Sequence, residues 1–380
     1  MSISVLHIIT TIDLGGAEKQ LLTLASCQRE KGYHVEVIYL KGKPLLAQDF
    51  LDQGIIINNT YSTMSFFKQI LKMRRRRFDR QIIVHAHLPR AELLSAITLK
   101  TKSFIVTRHN SEPFFPKAPT WISRALSRYV LNRAFASVSI SKAVADYLNM
   151  TRELSSSNSN QVIYYGIKDI SIKHIKKTKD LANVFQIGTV SRLVPQKNIP
   201  LLLTALKNID SAGTPHVHLS IVGSGPLSEE LKTLSIELGI EKSVSWLGQT
   251  KDTLSFFRSL DVFVLTSDYE GFGLVMLEAM TQGVPVIARR LSAIPEVLGE
   301  DHPGLIDSNH PEDIADKIRD FLTDSSIFEN CLDYQSNRLR EFPISQSQAS
   351  HEDLYLKLLK HNQEGHSVFI KSQNQGKTLR

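Results

Sequence analysis

The sequence predicts an α/β protein built from two doubly wound, Rossmann-like domains in tandem. Three observations carry this. Short β-rich runs alternate with helical patterns along the whole chain, which is the mark of βαβ units and a parallel sheet. The alternation breaks at a charged, weakly periodic stretch, "KDISIKHIKKTKD" (168–180), and restarts at residue 184. The chain has 380 residues and is 42% apolar, enough for two cores of ordinary size.

The elements follow in order. "SVLHIIT" (4–10) is a buried strand, a helix starts near Ala17, and "HVEVIYL" (34–40) is the second strand. "QIIVHAH" (81–87), "SFIVTRH" (103–109), "ASVSIS" (136–141) and, after the polar loop 155–160, "QVIYYGI" (161–167) continue the rhythm. This makes residues 1–167 one domain and 168–183 a linker. In the second domain, 184–345, the strands are "VFQIGTVSRL" (184–193), "VHLSIVG" (217–223), "VSWLG" (244–248), "DVFVLTS" (261–267) and "VPVIA" (284–288). A last helix is expected over about 346–361, with a loose polar tail over 364–380. Sheets of this kind bind ligands at the carboxyl ends of their strands, so the expected site is a central cleft that the two domains face.

Composition narrows the class. Two cysteines, Cys27 and Cys331, lie far apart without metal-ligand spacing, which argues against a disulfide framework or a zinc site. The N-terminal "MSISVLHIIT" lacks the basic region of a signal peptide, and no window reaches the roughly 18 apolar residues of a membrane span. A cytoplasmic protein is expected. Residues 1–180 carry 27 Lys/Arg against 13 Asp/Glu, and residues 181–380 carry 18 against 25. The two halves therefore meet different partners.

The most informative stretch is "SDYEGFGLVMLEAM" (267–280), where Glu270 and Glu278 stand in an apolar run. Glu270 falls in the loop after a strand. Gly271 and Gly273 allow close backbone approach, and the amides from Phe272 through Leu274 to Val275 open a helix and form an anion site. A glycosidase pair fits poorly: eight helical residues rise about 12 Å, and glycosidase carboxyls sit roughly 5–9.5 Å apart. Two hydroxyl acceptors flanking an anion site suit a sugar, a diphosphate and a ribose. Taken singly, Glu270 would be a solvated loop charge and Glu278 an exposed helix position.

A second constellation, "GTVSRLVPQKN" (188–198), starts at Gly188 and puts Arg192 and Lys197 at a strand end, where a fork and a point charge suit a diphosphate. "VGSGPL" (222–227) adds Gly223 and Gly225, and "SWLGQT" (245–250) offers backbone groups at Leu247 to a base edge. In the first domain, "TTIDLGGAEKQL" (10–21) turns at Gly15 and Gly16 without a GxGxxG, and the second strand lacks a terminal acid for a ribose, which excludes a nicotinamide-cofactor enzyme. The turn still presents amides to phosphate. His85, His87 and His109 fall at strand ends. His109 is chosen as a sugar or acceptor contact, and His85 is read as structural.

Together these residues resemble the retaining glycosyltransferases of family 4, with the GT-B fold. Glu270 and Glu278 match the family's Glu-x7-Glu motif, and "SRLVPQKN" matches its phosphate clamp. The resemblance implies a nucleotide-sugar donor, UDP-linked by preference or GDP-linked, and a hexose-type sugar. It implies a glycan or lipid-linked acceptor in bacterial cell-surface polysaccharide or lipopolysaccharide assembly. Glu270 would hold the sugar hydroxyls and Glu278 the ribose. Arg192 and Lys197 would neutralise the diphosphate, Gly16 would approach the phosphates, and His109 would lie beside the sugar. No cofactor and no divalent metal are expected, and no DxD motif is present. The last helix would cross back onto the first domain. One departure stands out: "YYGIK" replaces the Asn-Gly-Ile-Asp turn common in such proteins, with Tyr165 and Lys168 instead.

Two basic stretches suit an anionic membrane, with the protein peripheral on the inner face of the plasma membrane. "FFKQILKMRRRRFDR" (66–80) contains Arg74, Arg75, Arg76 and Arg77, and the stretch 117–135 contains Trp121, Arg124 and Arg128. Otherwise the first is a solvated face and the second a packed helix. No nucleic-acid recognition motif accompanies them. Two other classes share the residues: a sugar-nucleotide epimerase of the same architecture, and a non-catalytic nucleotide-sugar-binding subunit.

Overall fold

The computed structural model describes residues 3–59, 64–75, 82–168, 184–210 and 216–375. Arg76, Arg77, the side chain of Arg74, the linker residues 169–183 and residues 376–380 lie outside the described residues. The chain divides into two units, Met1–Lys168 with Ile344–Arg380, and Asp169–Pro343.

The first unit runs β1 (Ser4–Ile9), α1 (Gly16–Glu30), β2 (His34–Tyr39), α2 (Ala47–Asp52), β3 (Ile56–Asn58), α3 (Phe66–Arg75), β4 (Ile82–His87), α4 (Pro89–Thr98), β5 (Ile105–Arg108), α5 (Thr120–Arg133), β6 (Ala136–Ser139), α6 (Lys142–Met150) and β7 (Asn160–Val162). The second runs β8 (Phe185–Val190), α7 (Ile199–Asp210), β9 (Val217–Val222), α8 (Ser228–Glu237), β10 (Val244–Gly248), α9 (Thr253–Ser259), β11 (Val262–Leu265), α10 (Leu274–Thr281), β12 (Val286–Arg289), α11 (Ile294–Leu298), β13 (Leu305–Ile306), α12 (Pro311–Thr323) and α13 (Ser325–Leu339). The final helix, α14 (Ile344–Gln375), belongs to the first unit.

Both sheets are parallel. The first has the order β3-β2-β1-β4-β5-β6-β7 and the second β10-β9-β8-β11-β12-β13. In each, the chain winds outward one way and then the other, so the order reverses between β1 and β4 and between β8 and β11. Loops leaving neighbouring strands on opposite sides of a reversal open a crevice at the carboxyl edge. The two stretches singled out in the second half, 188–198 and 267–280, are the loops leaving β8 and β11.

Alternate strand residues feed opposite faces. Leu6, Ile8, Val84 and Val106 pack with Leu94 of α4 and Val130 of α5, whereas Val5, Ile83, Ile105 and Val138 pack with Leu354, Tyr355 and Leu358 of α14. Those three α14 side chains are fully buried, worth roughly 5–9 kcal/mol of transfer free energy before entropy costs. In the second unit α7 and α12 cover one face through Leu202, Leu206, Ile314 and Ile318.

Some elements differ from expectation. β3 and β13 were not anticipated, because they are two- or three-residue edge strands with too little pattern to show. "QVIYYGI" pairs with the sheet only over Asn160–Val162. Where a loose tail was expected from 364, the backbone stays helical to Gln375.

Candidate functional site

The switch point of the second sheet gathers the charged residues. β8 leads into a single turn at Pro195–Lys197, followed by Asn198 in the left-handed conformation at φ 46°. β11 leads into the loop 266–273, and Gly273 caps α10 at φ 85°. That φ calls for glycine, and a Cβ there would also push aside the Met276 methyl at 2.5 Å. The Lys197 ammonium sits 2.6 Å from Glu270 Oε1, with side-chain exposures of 12% and 8%. Ser267 donates to the same oxygen at 2.7 Å. Oε2 has no partner among the described residues, so Glu270 is anchored through one oxygen and open at the other.

The two loops are joined along their backbones. Thr266 donates to the Lys197 and Asn198 carbonyls at 3.1 and 3.0 Å. The Asp268 N–H donates to the Gln196 carbonyl at 2.9 Å, and the Gln196 amide donates to the Tyr269 carbonyl at 2.7 Å. Arg289, buried at the end of β12, donates to Asp268 at 2.6 Å, and Asn198 donates to the same oxygen at 3.0 Å. Ser292 donates to the Glu270 carbonyl at 2.8 Å. Gln196, Asn198, Thr266, Ser267, Asp268, Arg289 and Ser292 were not anticipated. The one legible signal was Arg289, a cation closing an apolar strand.

Arg192 is exposed and makes no ion pair among the described residues. α10 is apolar on nearly every side and buries Met276, Leu277, Ala279 and Met280, so Glu278 is its one charged residue. Glu278 is half-buried and accepts from Thr253 of α9 at 3.4 Å. It lies one turn inside the helix, about 6 Å along the axis from Leu274. The Leu274 and Val275 N–H groups open α10 at the positive end of its dipole, where an anion is favoured, and the Met276 N–H donates to the Gly273 carbonyl at 2.9 Å.

Other anticipated residues have structural duties first. Phe272 is 1% exposed and packs edge-on against Phe342, with ring centres 5.7 Å apart, and Gly271 beside it is buried as well. Gly188 lies inside β8, where a Cβ would strike Leu260 and Phe256 at 2.6 and 2.8 Å. Gly223 and Gly225 let one turn pass against another: Cβ atoms there would meet the Ser191 and Leu193 carbonyls at 1.8 and 2.2 Å. Leu247 is exposed on β10. In the first unit, Gly15 lies under the Glu18 carboxylate, which a Cβ would approach to 2.2 Å, and Gly16 is open.

His109 belongs to a buried chain of hydrogen bonds, and the Gln28 carboxamide sets its direction. Gln28 Oε1 can only accept, so His7 Nε2 donates to it at 2.9 Å. In a neutral ring His7 Nδ1 must then accept, here from His87 Nε2 at 3.0 Å. His87 Nδ1 accepts from His109 Nε2 at 3.3 Å, and His109 Nδ1 accepts from the Tyr165 hydroxyl. On the other side, the Gln28 amide donates to Tyr355 at 3.3 Å, Tyr355 donates to His85 Nδ1 at 2.8 Å, and His85 Nε2 donates to Thr107 at 2.7 Å. Burial keeps the rings neutral. It lowers His7 and His351 to about 4 and His109 to about 3, and holds His85 and His87 well below 6.5. Both His109 nitrogens are therefore engaged inside the unit. Tyr165, which departs from the family turn, is its partner, and Lys168 pairs with Glu30 at 2.8 Å.

The ligand atoms of His7, His85 and His87 lie within 4.8 Å of one another, but a cation there would have to displace the hydrogen bonds just described. Trp121 is 72% exposed on α5, and Arg124, Arg128 and Tyr129 share its exposed stripe. Arg75 is exposed at the end of α3. Among the described residues no helix is long and apolar enough to cross a membrane.

Comparison with known proteins gives a consistent picture. The profile described as "Glycosyltransferase Family 4" matches residues 14–168, and that described as "Glycosyl transferases group 1" matches residues 171–338. The chain is 24% identical to the lipopolysaccharide core biosynthesis glycosyltransferase LpsD of Rhizobium meliloti, covering 86% of this chain and 90% of that one. It is 36% identical to the GDP-mannose-dependent alpha-(1-6)-phosphatidylinositol monomannoside mannosyltransferase of Mycobacterium tuberculosis, over 36% of this chain and 37% of that one. Matches to three further curated relatives span 66%, 27% and 49% of their lengths. The crystal structure of Anabaena HepE in complex with UDP-glucose superposes with a TM-score of 0.76 at 19% identity, covering 93% of this chain and 100% of that one. Two family profiles in succession, on two parallel doubly wound sheets, place the chain in glycosyltransferase family 4 with the GT-B fold.

Proposed function

We propose that the protein is a retaining, metal-independent glycosyltransferase that moves a hexose-type sugar from a nucleotide-sugar donor, UDP-linked by preference, to a glycan or lipid-linked acceptor. The observation that carries this is the paired Lys197 and Glu270 at the head of α10, with one Glu270 oxygen open. A cation, a helix N-terminus and a hydroxyl acceptor side by side suit the junction of a diphosphate and a sugar. Relatives named for lipopolysaccharide core synthesis and for GDP-mannose support the class of substrate.

In this mechanism Arg192, Lys197 and the first α10 amides take up the charge that grows on the departing nucleoside diphosphate. Glu270 holds sugar hydroxyls through Oε2 and Glu278 holds the ribose. The sugar passes through an oxocarbenium-like state. The acceptor hydroxyl attacks from the leaving-group face and gives its proton to a phosphate oxygen, so no protein nucleophile is needed. The exposed Trp121, Arg124, Tyr129 and Arg128 stripe would rest on an anionic membrane that carries the acceptor.

The test is calorimetric binding of UDP, GDP, ADP, dTDP and their sugar conjugates in chelator, on wild type and Glu278→Ala. Tight binding of one nucleotide, weakened by the substitution, is expected. Transfer products would then be read by NMR for anomeric configuration. No binding to folded protein, or an inverted product, would overturn the corresponding part of the proposal.

A further inference from the structure

The Lys197 turn begins beyond β8 and Glu270 lies beyond β11, where no ladder hydrogen bond holds either loop. Their register is set by one main-chain bond, from the Asp268 N–H to the Gln196 carbonyl at 2.9 Å, and otherwise by side chains. Arg289 reaches Asp268 Oδ1 at 2.6 Å and the Thr266 and Ser308 carbonyls at 3.4 Å each. It thus spans the loops after β11 and β13 from the end of β12. Asp268 shares that one oxygen with Asn198, whose left-handed backbone turns the chain just after Lys197. The outcome is an alternating row of four charges, Arg289, Asp268, Lys197 and Glu270, in which each adjacent pair is joined directly or through Asn198.

We propose that Asp268 and Arg289 are positioning residues that hold the Lys197 turn in register with Glu270, so that diphosphate clamp and sugar-binding carboxylate act as one rigid piece. The geometry stands by itself; the ligand assigned to it rests on the donor-site reading above. The physical reason for such a device is entropy. A free lysine side chain loses rotamer freedom when fixed, and a clamp already fixed does not lose it again on binding. Arg289 suits the task because its planar fork serves several acceptors at once.

The first test needs no ligand. Lys197 should resist limiting acetic anhydride, since acylation requires an accessible neutral amine and Lys197 is buried against Glu270. Acetylation of Lys197 relative to the exposed Lys242 is read by mass spectrometry on the full chain. Asp268→Ala and Arg289→Gln should raise that ratio at least about fivefold. Asp268→Asn, which keeps an oxygen for both donors, should raise it less. Asp268 is half-exposed, so its variants keep the test alive if Arg289→Gln fails to fold. An unchanged ratio in folded Asp268→Ala overturns the proposal.

The second test compares UDP-glucose or GDP-mannose, whichever the wild type binds, with the matching nucleoside monophosphate. Asp268→Ala should weaken the nucleotide sugar about tenfold and the monophosphate less than about twofold. Equal weakening of both would mark general loosening of the unit and overturn the positioning role. Wild type that binds neither sugar nucleotide would overturn the donor reading, while the acetylation result still decides the geometry.

Discussion

Replacing Lys197 by methionine removes the cation from a buried pair and keeps most of its volume. The Glu270 carboxylate is then left 8% exposed with only the Ser267 hydroxyl on Oε1. Breaking one side of a buried pair costs about 3–5 kcal/mol, because the remaining charge keeps its desolvation penalty. The retained Ser267 bond puts the expected loss near 3 kcal/mol. With a urea slope of about 2 kcal/mol/M, the midpoint of the second unit should fall by about 1.5 M. The chain has two tryptophans, one in each unit, so a Trp121→Phe background leaves Trp246 to report the second unit alone. Glu270→Gln combined with Lys197→Met removes both charges and should recover most of the loss. Additive losses, or a single-variant loss under about 1 kcal/mol, would refute the view that the two charges neutralise each other in a desolvated site.

The histidine chain predicts acid sensitivity of the first unit. His7 and His351 titrate at about 4 in the fold and near 6.5 when unfolded. The unfolded state therefore binds more protons below 6.5, and stability falls as pH drops from about 6.5 to about 4, by about 2 kcal/mol per buried ring at pH 5. Trp121 fluorescence in urea at pH 7 and pH 5 checks this, and equal midpoints would contradict it. Tyr355→Phe strips the donor from His85 and the acceptor from Gln28, and should cost about 1–3 kcal/mol in the same assay. Leu358→Ala should cost about 2–5 kcal/mol in the first unit and leave the Trp246 transition of the second in place.

Much of this was legible in the chain. Strands β1, β2, β4, β8, β9 and β11 announce themselves because strands buried in a parallel sheet are rich in Val, Ile, Leu and Phe. The loops that leave β8 and β11 showed their cations, carboxylates and glycines at strand ends. What escaped notice is what lacks local pattern. β3 and β13 are too short to have a period. The polar C-terminal sequence hides the end of a helix that docks through Leu354, Tyr355 and Leu358.

The fold class, the two sheets, and the residue types available for a diphosphate and a sugar can be read along the chain, because apolar periodicity and strand-end glycines are local signals. Which residues meet depends on how the chain packs. Asp268 and Arg289 are 21 residues apart, and Gln28 and Tyr355 are 327 apart. Sheet order and register bring them together, and no local pattern encodes either. The same holds for the roles of Gly188 and Phe272: a glycine under two apolar side chains and an aromatic ring turned into the core look, in sequence, like parts of a binding loop.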